Sequence, residues 1–143
     1  ALHGTSMGGV SVLLVSKYDK DIKFIVADCP YASLPEFASD CIRARHQPPW
    51  LFLPIFKLIT KFYKLDLKES SALIAVKDNE IPTLYLHGEK DDFVLPRHTE
   101  ILYKENKGEK IRHTFPHGTH GNSVFDDPKE YREVLINFVK NHE

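Results

Sequence analysis

The feature that most constrains this chain is the segment Gly4-Thr5-Ser6-Met7-Gly8 at its amino-terminal end. A Gly-x-Ser-x-Gly pattern is typical of a nucleophile elbow, a sharp strand-to-helix turn that exposes a serine hydroxyl. Glycines are expected on both sides of the serine because the strand end and the helix start pass close together. The spacing of apolar residues predicts a helix directly afterwards, from Met7 to about Lys17. Its first amides would favour negative charge at whatever Ser6 attacks.

Little sequence precedes this turn, although an elbow needs a strand in front of the serine. Only Ala1, Leu2 and His3 come before Gly4. Two interpretations therefore stand: the sequence is an N-terminally truncated fragment of a longer protein, or the elbow interpretation is wrong.

Composition limits the chain to a single domain and excludes some partners. The chain has 143 residues, of which 42% are hydrophobic, and its net charge is −1. Such a length supports one core, and the absence of a basic run argues against a nucleic-acid partner. Cys29 and Cys41 lack the spacing of a disulfide framework or metal site, so free thiols are expected. Without a targeting, lipidation or membrane-spanning pattern, cytoplasmic, membrane-anchored and cell-surface locations all stay open.

Strand-like and helix-like segments alternate along most of the chain. Short runs ending at proline or glycine predict buried parallel strands at Lys23–Ala27, Pro82–Gly88 and Lys110–Phe115. Helical patterns run from Pro96 to about Lys104 and from Pro128 to Asn141. This alternation predicts an α/β fold with a parallel sheet flanked by helices.

Residues 34–76 are too many for a simple crossover and predict a helical insertion, a cap or lid. A helix is predicted from Leu34 to Arg45, and an apolar, proline-interrupted cluster runs from Trp50 to Tyr63 with lysines around it. Three interpretations stay open: packed helices, a lid with an apolar substrate pocket, and an interfacial helix with a basic rim. The lid interpretation gives Trp50, Phe52 and Phe56 as candidate pocket residues.

A serine nucleophile needs a base and an orienting acid, and both should follow strand ends on the serine's edge of the sheet. The second predicted strand ends in His87-Gly88-Glu89-Lys90-Asp91, which places Asp91 in the following loop. The third is followed by His117-Gly118-Thr119-His120, which places His120 in the next one. The chain order is therefore serine, aspartate, histidine.

Other acids compete for the orienting role. Asp92 is adjacent to Asp91, Asp28 also follows a predicted strand, and Glu89 is a weaker competitor. The register with the His87-Gly88 turn favours Asp91.

Other histidines compete for the role of base. His117 is the alternative to His120, whose glycine neighbours favour it. A metal site made of His113, His117 and His120 is disfavoured, because these residues lack a helical register and nearby cysteines. His3 and His87, each beside a glycine, are interpreted as packing or turn residues.

Three motifs resemble those of α/β-hydrolase-fold serine hydrolases of the bacterial esterase-like or cell-surface type. They are Gly4-Thr5-Ser6-Met7-Gly8-Gly9, His87-Gly88-x-x-Asp91-x-x-Val94 and Gly118-x-His120. The resemblance covers essentially the whole chain as the C-terminal half of such a protein and is loosest over Leu34–Tyr63. It implies Ser6 as nucleophile, Asp91 as acid, His120 as base and the Met7 amide as one oxyanion donor. It also implies that a second donor and the first strands lie outside this sequence.

The resemblance implies a serine hydrolase that cleaves an ester or related acyl bond through an acyl-enzyme. A small acyl or ester substrate is expected, and neither a cofactor nor a metal is implied. Alternatives are a peptidase or thioesterase with the same residues, or a weak or inert fragment that lacks part of the oxyanion hole. The predicted organisation is one domain: residues 1–33 with elbow, helix and strand, 34–76 with the insertion, and 77–143 with acid and base.

Truncation also predicts self-association. The strand at Lys23–Ala27 is expected to lack a full neighbour, which leaves a row of unpaired backbone groups as a template for another chain. Phe24 and Val26 would then add exposed apolar surface. Contact with a membrane surface is a weaker expectation.

Overall fold

The computed structural model describes residues 1–142, and a four-stranded parallel sheet organises them. The strands are β1 (Leu2–Thr5), β2 (Ile25–Asp28), β3 (Thr83–Gly88) and β4 (Lys110–Phe115). They lie in the order β1-β2-β3-β4, and every neighbouring pair is parallel. The predicted α/β fold with a parallel sheet flanked by helices is confirmed.

Helices occupy the connections between the strands. They are α1 (Met7–Val15), α2 (Leu34–Ala44), α3 (Pro49–Phe62), α4 (Ala72–Ala75), α5 (Arg97–Glu105), α6 (Ser123–Asp126) and α7 (Pro128–His142), with a 3-10 turn at Val76–Asp78. The N-cap of α2 is Ser33, whose hydroxyl accepts the Glu36 N–H at 3.4 Å. Prolines lie in the first turn of both α2 and α3, where no N–H is needed.

Two apolar cores lie on opposite faces of the sheet, because successive strand residues point to opposite sides. On β2, Ile25 and Ala27 join the core under α1 and α5, whereas Val26 joins the core under α7. All residues of β2 and β3 are buried. The two central strands therefore hold the carboxyl ends of all four strands at one common edge.

The prediction that the strand after α1 would form an open edge is wrong. β1 pairs with β2 over its whole length, from Leu2 opposite Ile25 to Thr5 opposite Asp28. Four residues suffice because β2 itself is only four residues long. On this side of the sheet the outer strand is β1, with β4 on the other side. Self-association through an edge therefore stays a prediction, and the strand concerned is β1.

The predicted exposure of Phe24 and Val26 is also wrong. These side chains are 8% and 1% exposed, because α7 covers that face of the sheet. The Phe24 ring meets the Phe138 ring edge-on, with centroids 5.6 Å apart. The largest group of exposed apolar side chains lies on α3.

The helical insertion is present as α2 and α3, which pack against each other between β2 and β3. Asp40 ties α2 to α5, since its Oδ2 accepts hydrogen bonds from Arg97 Nε at 3.0 Å and Nη2 at 2.5 Å. The buried His98 ring brings Nε2 to 3.0 Å from the same oxygen. Burial, followed by the neighbouring Arg97 charge, lowers the pKa of His98. Within residues 1–142, none of the helices is both long and apolar enough to cross a bilayer.

Candidate active site

Ser6 occupies a strained turn between β1 and α1. Its φ of 55° and ψ of −118° are uncommon for a residue with a side chain. Hydrogen bonds hold both sides of the turn: the Ser6 N–H donates to the Asp28 carbonyl at 2.8 Å, and the Ser6 carbonyl accepts from the Val10 N–H at 3.1 Å. Strain that the surroundings impose in this way is concentrated at functional sites.

The glycines around Ser6 do not contribute equally. A Cβ on Gly4 would overlap the Gly8 carbonyl, so the turn requires glycine there. Gly8 faces open space, contrary to the expectation of crowding on both sides. The close approach occurs at Gly9 instead, where a Cβ would lie 3.0 Å from the Asp28 carbonyl oxygen.

Ser6, His120 and Asp91 form one line of hydrogen bonds. His120 Nε2 lies 2.9 Å from Ser6 Oγ, and His120 Nδ1 lies 2.7 Å from Asp91 Oδ2. An ionised carboxylate only accepts, so Nδ1 carries the ring proton and Nε2 is left to accept from the serine hydroxyl. The three residues follow β1, β4 and β3, whose carboxyl ends meet at the same edge of the sheet.

Asp91 is buried and accepts hydrogen bonds at both carboxylate oxygens. Oδ1 accepts the backbone N–H groups of Phe93 at 3.0 Å and Val94 at 2.8 Å. Burial alone would raise the pKa of Asp91, but the hydrogen bonds from His87, His120 and Val94 outweigh it and lower the pKa below its ordinary value. The carboxyl is therefore ionised at neutral pH.

His87 contacts the acid, which its interpretation as a packing or turn residue did not include. The ring is fully buried, with Nε2 2.8 Å from the Val94 carbonyl oxygen and 3.2 Å from Asp91 Oδ2. Both neighbours only accept, so Nε2 carries the proton. Nδ1 then accepts from the Thr99 hydroxyl. The sequence did contain a signal for this contact: His87 is followed by a glycine at the end of a strand and lies four residues before Asp91.

The competing acids have other partners. Asp92 is exposed, and Glu89 accepts from the Thr114 hydroxyl at 2.8 Å. Asp28 Oδ2 accepts from the Tyr131 hydroxyl at 3.0 Å. In the part of the chain that the structure describes, Asp91 is the one acid hydrogen-bonded to His120.

Asp28 is a buried carboxyl with an incomplete set of partners. Its Oδ1 has no hydrogen-bond partner among residues 1–142, and burial raises the pKa of Asp28. The Tyr131 hydroxyl that binds Oδ2 also lies 3.3 Å from Nε2 of His3. The ionised form of Asp28 thus lowers the stability of the folded state.

Asp28→Asn is expected to stabilise the protein near neutral pH by about 1 kcal/mol, because an amide removes a poorly solvated charge. The pKa of Asp28 is higher in the folded state than in the unfolded state, so ionisation of Asp28 destabilises the fold at neutral pH. This destabilisation disappears as the pH falls to 3.8, the ordinary pKa of an aspartate. Urea denaturation of both proteins should show the gain shrinking on acidification. A matched Asp92→Asn variant should show none, and an equal gain at all pH values would contradict this account.

Two acidic residues after the His120 loop hold it in place. Asp126 Oδ2 accepts from the Thr119 N–H at 2.9 Å and from its hydroxyl at 2.8 Å. Asp127 accepts from the His117 N–H at 3.0 Å and pairs with His117 Nδ1 at 2.7 Å. His117, the competitor for the role of base, is therefore held at a different carboxylate.

Cys29, Asp91 and His120 bring three potential ligand atoms within 4.8 Å of one another. Burial raises the pKa of the Cys29 thiol to about 12, so the thiolate that a metal prefers is disfavoured. Both ring nitrogens of His120 already have partners. The donor set suits a hydrogen-bonded site better than a metal site.

Aromatic residues connect His120 to the insertion. The Phe93 ring lies edge-on to the His120 ring with centroids 5.0 Å apart, and Phe37 of α2 lies edge-on to Phe93 at 5.2 Å. Beside Phe93, a cavity of about 390 Å³ runs along the last turns of α2. The insertion therefore borders the site through α2.

The candidate pocket residues lie on α3, whereas the candidate oxyanion donor lies at the start of α1. Phe52 and Phe56 line an apolar groove of about 410 Å³ between α2 and α3. Trp50 is 74% exposed at the start of α3. Met7 begins α1, so its N–H has no acceptor within the helix and remains available to a ligand.

Comparison with solved structures identifies the fold. An esterase from Pyrococcus furiosus, Pf2001, superposes with a TM-score of 0.72 at 20% identity, over 97% of this chain and 52% of the esterase chain. An α/β fold family hydrolase from Bacillus anthracis gives a TM-score of 0.70 at 14% identity, over 95% of this chain and 66% of the other. The fold is that of the α/β-hydrolases.

Sequence comparison extends the similarity along nearly the whole chain. No protein family profile matches it. The uncharacterized protein YqkD of Bacillus subtilis is 32% identical over 98% of this chain. The chain spans 47% of the length of that relative.

Proposed function

We propose that this chain carries the nucleophile, acid and base of a serine hydrolase that cleaves an ester or related acyl bond. The observation that carries the proposal is the hydrogen-bonded line from Ser6 Oγ through His120 to Asp91. The strained turn at Ser6 and the low pKa of Asp91 support it. Further support comes from the esterase and the hydrolase that share the fold.

Acylation begins at the serine. As Ser6 Oγ attacks the acyl carbon, its proton passes to His120 Nε2 and the carbonyl electron pair moves onto the oxygen. The imidazolium that forms is stabilised by the ionised Asp91 carboxylate at Nδ1. Collapse of the tetrahedral intermediate breaks the bond to the leaving group, which takes the proton from Nε2. Water then repeats the sequence on the acyl-serine, with His120 again as base, and releases the acid.

The oxyanion that forms on the carbonyl needs donors positioned in advance. The Met7 N–H, at the first residue of α1, is one such donor, and the helix N-terminus adds favourable potential. Removal of one oxyanion donor typically lowers the rate on the order of 10²–10³-fold, and the Met7 N–H is expected to contribute a factor of this size.

The bond that is cleaved stays open among esters, thioesters and amides, since the same three groups serve all of them. A fluorophosphonate probe tests the proposal without a choice of substrate, because it traps an activated serine covalently. Intact mass and peptide mapping should locate one adduct at Ser6. An inert fragment would stay unlabelled, and that result would reject the proposal.

Within this mechanism, His87 is a positioning residue for Asp91. His87→Leu removes the Nε2–H beside the carboxylate and is expected to lower kcat by roughly 10- to 100-fold, the value of a hydrogen bond to a charged group. KM should change little, because His87 is fully buried and does not reach the solvent-facing side of the site.

Two further variants separate this role from a loss of packing. His87→Gln keeps an N–H donor and should recover part of kcat. Thr99→Val removes the hydroxyl that binds Nδ1 and should lower kcat in the same direction, with less disturbance of the core. Steady-state kinetics on one activated ester, with melting curves as control, make the comparison. Unchanged kcat in a folded His87→Leu protein would exclude the positioning role.

A further inference from the structure

The solvent side of α3 carries two parallel stripes of different chemistry. Residues at helical spacing form an apolar stripe whose side chains are largely exposed: Leu51 (49%), Ile55 (56%), Leu58 (68%) and Phe62 (79%). The adjacent stripe consists of Trp50, Pro54, Lys57 and Lys61. The side of α3 that packs on α2 includes Phe52 and Phe56, and Ile55 of the apolar stripe also lines the groove between the two helices.

The charge along the chain from residue 41 to residue 65 is of one sign, and the acidic residues Asp40 and Asp66 lie directly outside this range. Residues 41–65 contain five basic side chains and no acidic one, although the chain as a whole has a net charge of −1. The basic residues are Arg43, Arg45, Lys57, Lys61 and Lys64. A partner that matches this face would therefore have an apolar interior and a negatively charged surface.

We propose that the exposed face of α3 docks on an anionic membrane surface, with its apolar stripe among the acyl chains and its lysines at the headgroups. A helix that lies in the interface has this arrangement, with an apolar sector bordered by lysines and a tryptophan. A protein partner would more commonly offer a groove to such a helix. Here the stripe is on the outer side of a helix that already packs on α2. The helix lies on the bilayer and does not cross it, in agreement with its length of 14 residues.

Docking in this orientation also indicates a substrate class, and this step rests on the proposed hydrolase function. The groove between α2 and α3 is lined only by apolar atoms and Cys41, and Ile55 of the docking stripe forms part of its wall. Phe37 lines the same groove and touches Phe93, which touches His120. The groove is thus connected to the site by two aromatic rings, and the substrate class that fits this placement is an acyl ester held in a lipid surface.

Vesicle co-sedimentation tests the docking face without any catalysis. The Ser6→Ala chain is mixed with vesicles of phosphatidylcholine alone or of phosphatidylcholine with phosphatidylserine. Binding is expected only to the anionic vesicles, and it should weaken as salt is raised. Changing Lys57, Lys61 and Lys64 to Gln together should reduce affinity roughly 100-fold. Leu51→Ser with Leu58→Ser should also abolish retention.

A matched control has the same change in charge elsewhere. Lys107, Lys129 and Lys140 are exposed and lie outside α3, so changing these three to Gln should leave vesicle binding in place. Equal loss with this set, equal binding to neutral vesicles, or no binding at all would overturn the proposal. Sedimentation velocity that shows a dimer broken by Leu58→Ser would also overturn it, in favour of contact between copies.

The proposed substrate class is tested separately, by measuring ester hydrolysis in vesicles. Wild-type chain should hydrolyse a long-chain fluorogenic ester faster in anionic than in neutral vesicles. If vesicle binding holds but Ser6 is not labelled by the fluorophosphonate, the docking face stands and the proposed hydrolase activity fails. If Ser6 is labelled but vesicles are not bound, the hydrolase proposal stands and the docking face is rejected.

Discussion

Ser6→Ala is expected to abolish covalent labelling by a fluorophosphonate and to lower ester hydrolysis by a factor on the order of 10⁶, to the level that substrate binding and the oxyanion donor support. The physical reason is that no other hydroxyl is both held in a strained turn and hydrogen-bonded to His120 Nε2 among the described residues. Labelling is measured by intact mass, and hydrolysis by release of a chromophoric alcohol.

Ser11→Ala is the matched control for this substitution. Ser11 lies on the exposed side of α1, where its hydroxyl donates to the Met7 carbonyl at 2.9 Å. The variant removes a serine hydroxyl from within α1, five residues after Ser6, and should keep labelling and turnover. Persistent labelling of the Ser6→Ala protein at another residue would reject Ser6 as the nucleophile.

Asp91→Asn is expected to lower kcat by about 10⁴-fold, while the protein remains folded. An amide NH2 facing His120 needs an acceptor, so the ring shifts to the tautomer in which Nδ1 is unprotonated and Nε2 carries the proton. Nε2 then cannot accept the Ser6 proton. The variant also loses the negative charge that stabilises the imidazolium.

Asp92→Asn provides the comparison, because the two residues are adjacent and differ in burial. Asp92 is exposed, and its conversion to Asn should change kcat by less than about twofold. The pair is compared by kcat, KM and melting temperature on the same ester. A larger loss in Asp92→Asn than in Asp91→Asn would transfer the acid's role to Asp92.

Local signals in the sequence were sufficient for β2, β3, β4 and the longer helices, whereas the short helices α4 and α6 were not predicted. The strand at Lys110–Phe115 and the start of α7 at Pro128 were predicted with the bounds that the structure has, because apolar runs, proline and glycine act within a few residues. The positions of Ser6, Asp91 and His120 after strand ends were also readable. Parallel strands end at one edge, so these residues were expected to lie together before any distance was known.

The sequence could not decide which neighbours each polar side chain would have. Asp91 and Asp92 are adjacent in the sequence but differ in their contacts. The turn after β3 directs Asp91 toward the Val94 N–H and two histidine rings. His87 was interpreted as a packing residue because its contact with Asp91 forms only after β3, the loop and α5 have packed together. Hydrogen-bond partners of buried groups depend on such contacts between distant segments, which no local pattern encodes.

The sequence by itself determined the α/β alternation, the sharp turn at Ser6 and the order of the three polar residues, since each depends on local propensity and spacing. Only the tertiary structure decided that β1 covers the side of β2, that α7 buries Phe24, and that α3 keeps its apolar stripe exposed. The physical reason is that apolar residues show how much surface an element must bury. Which neighbour buries that surface depends on how the elements pack in three dimensions.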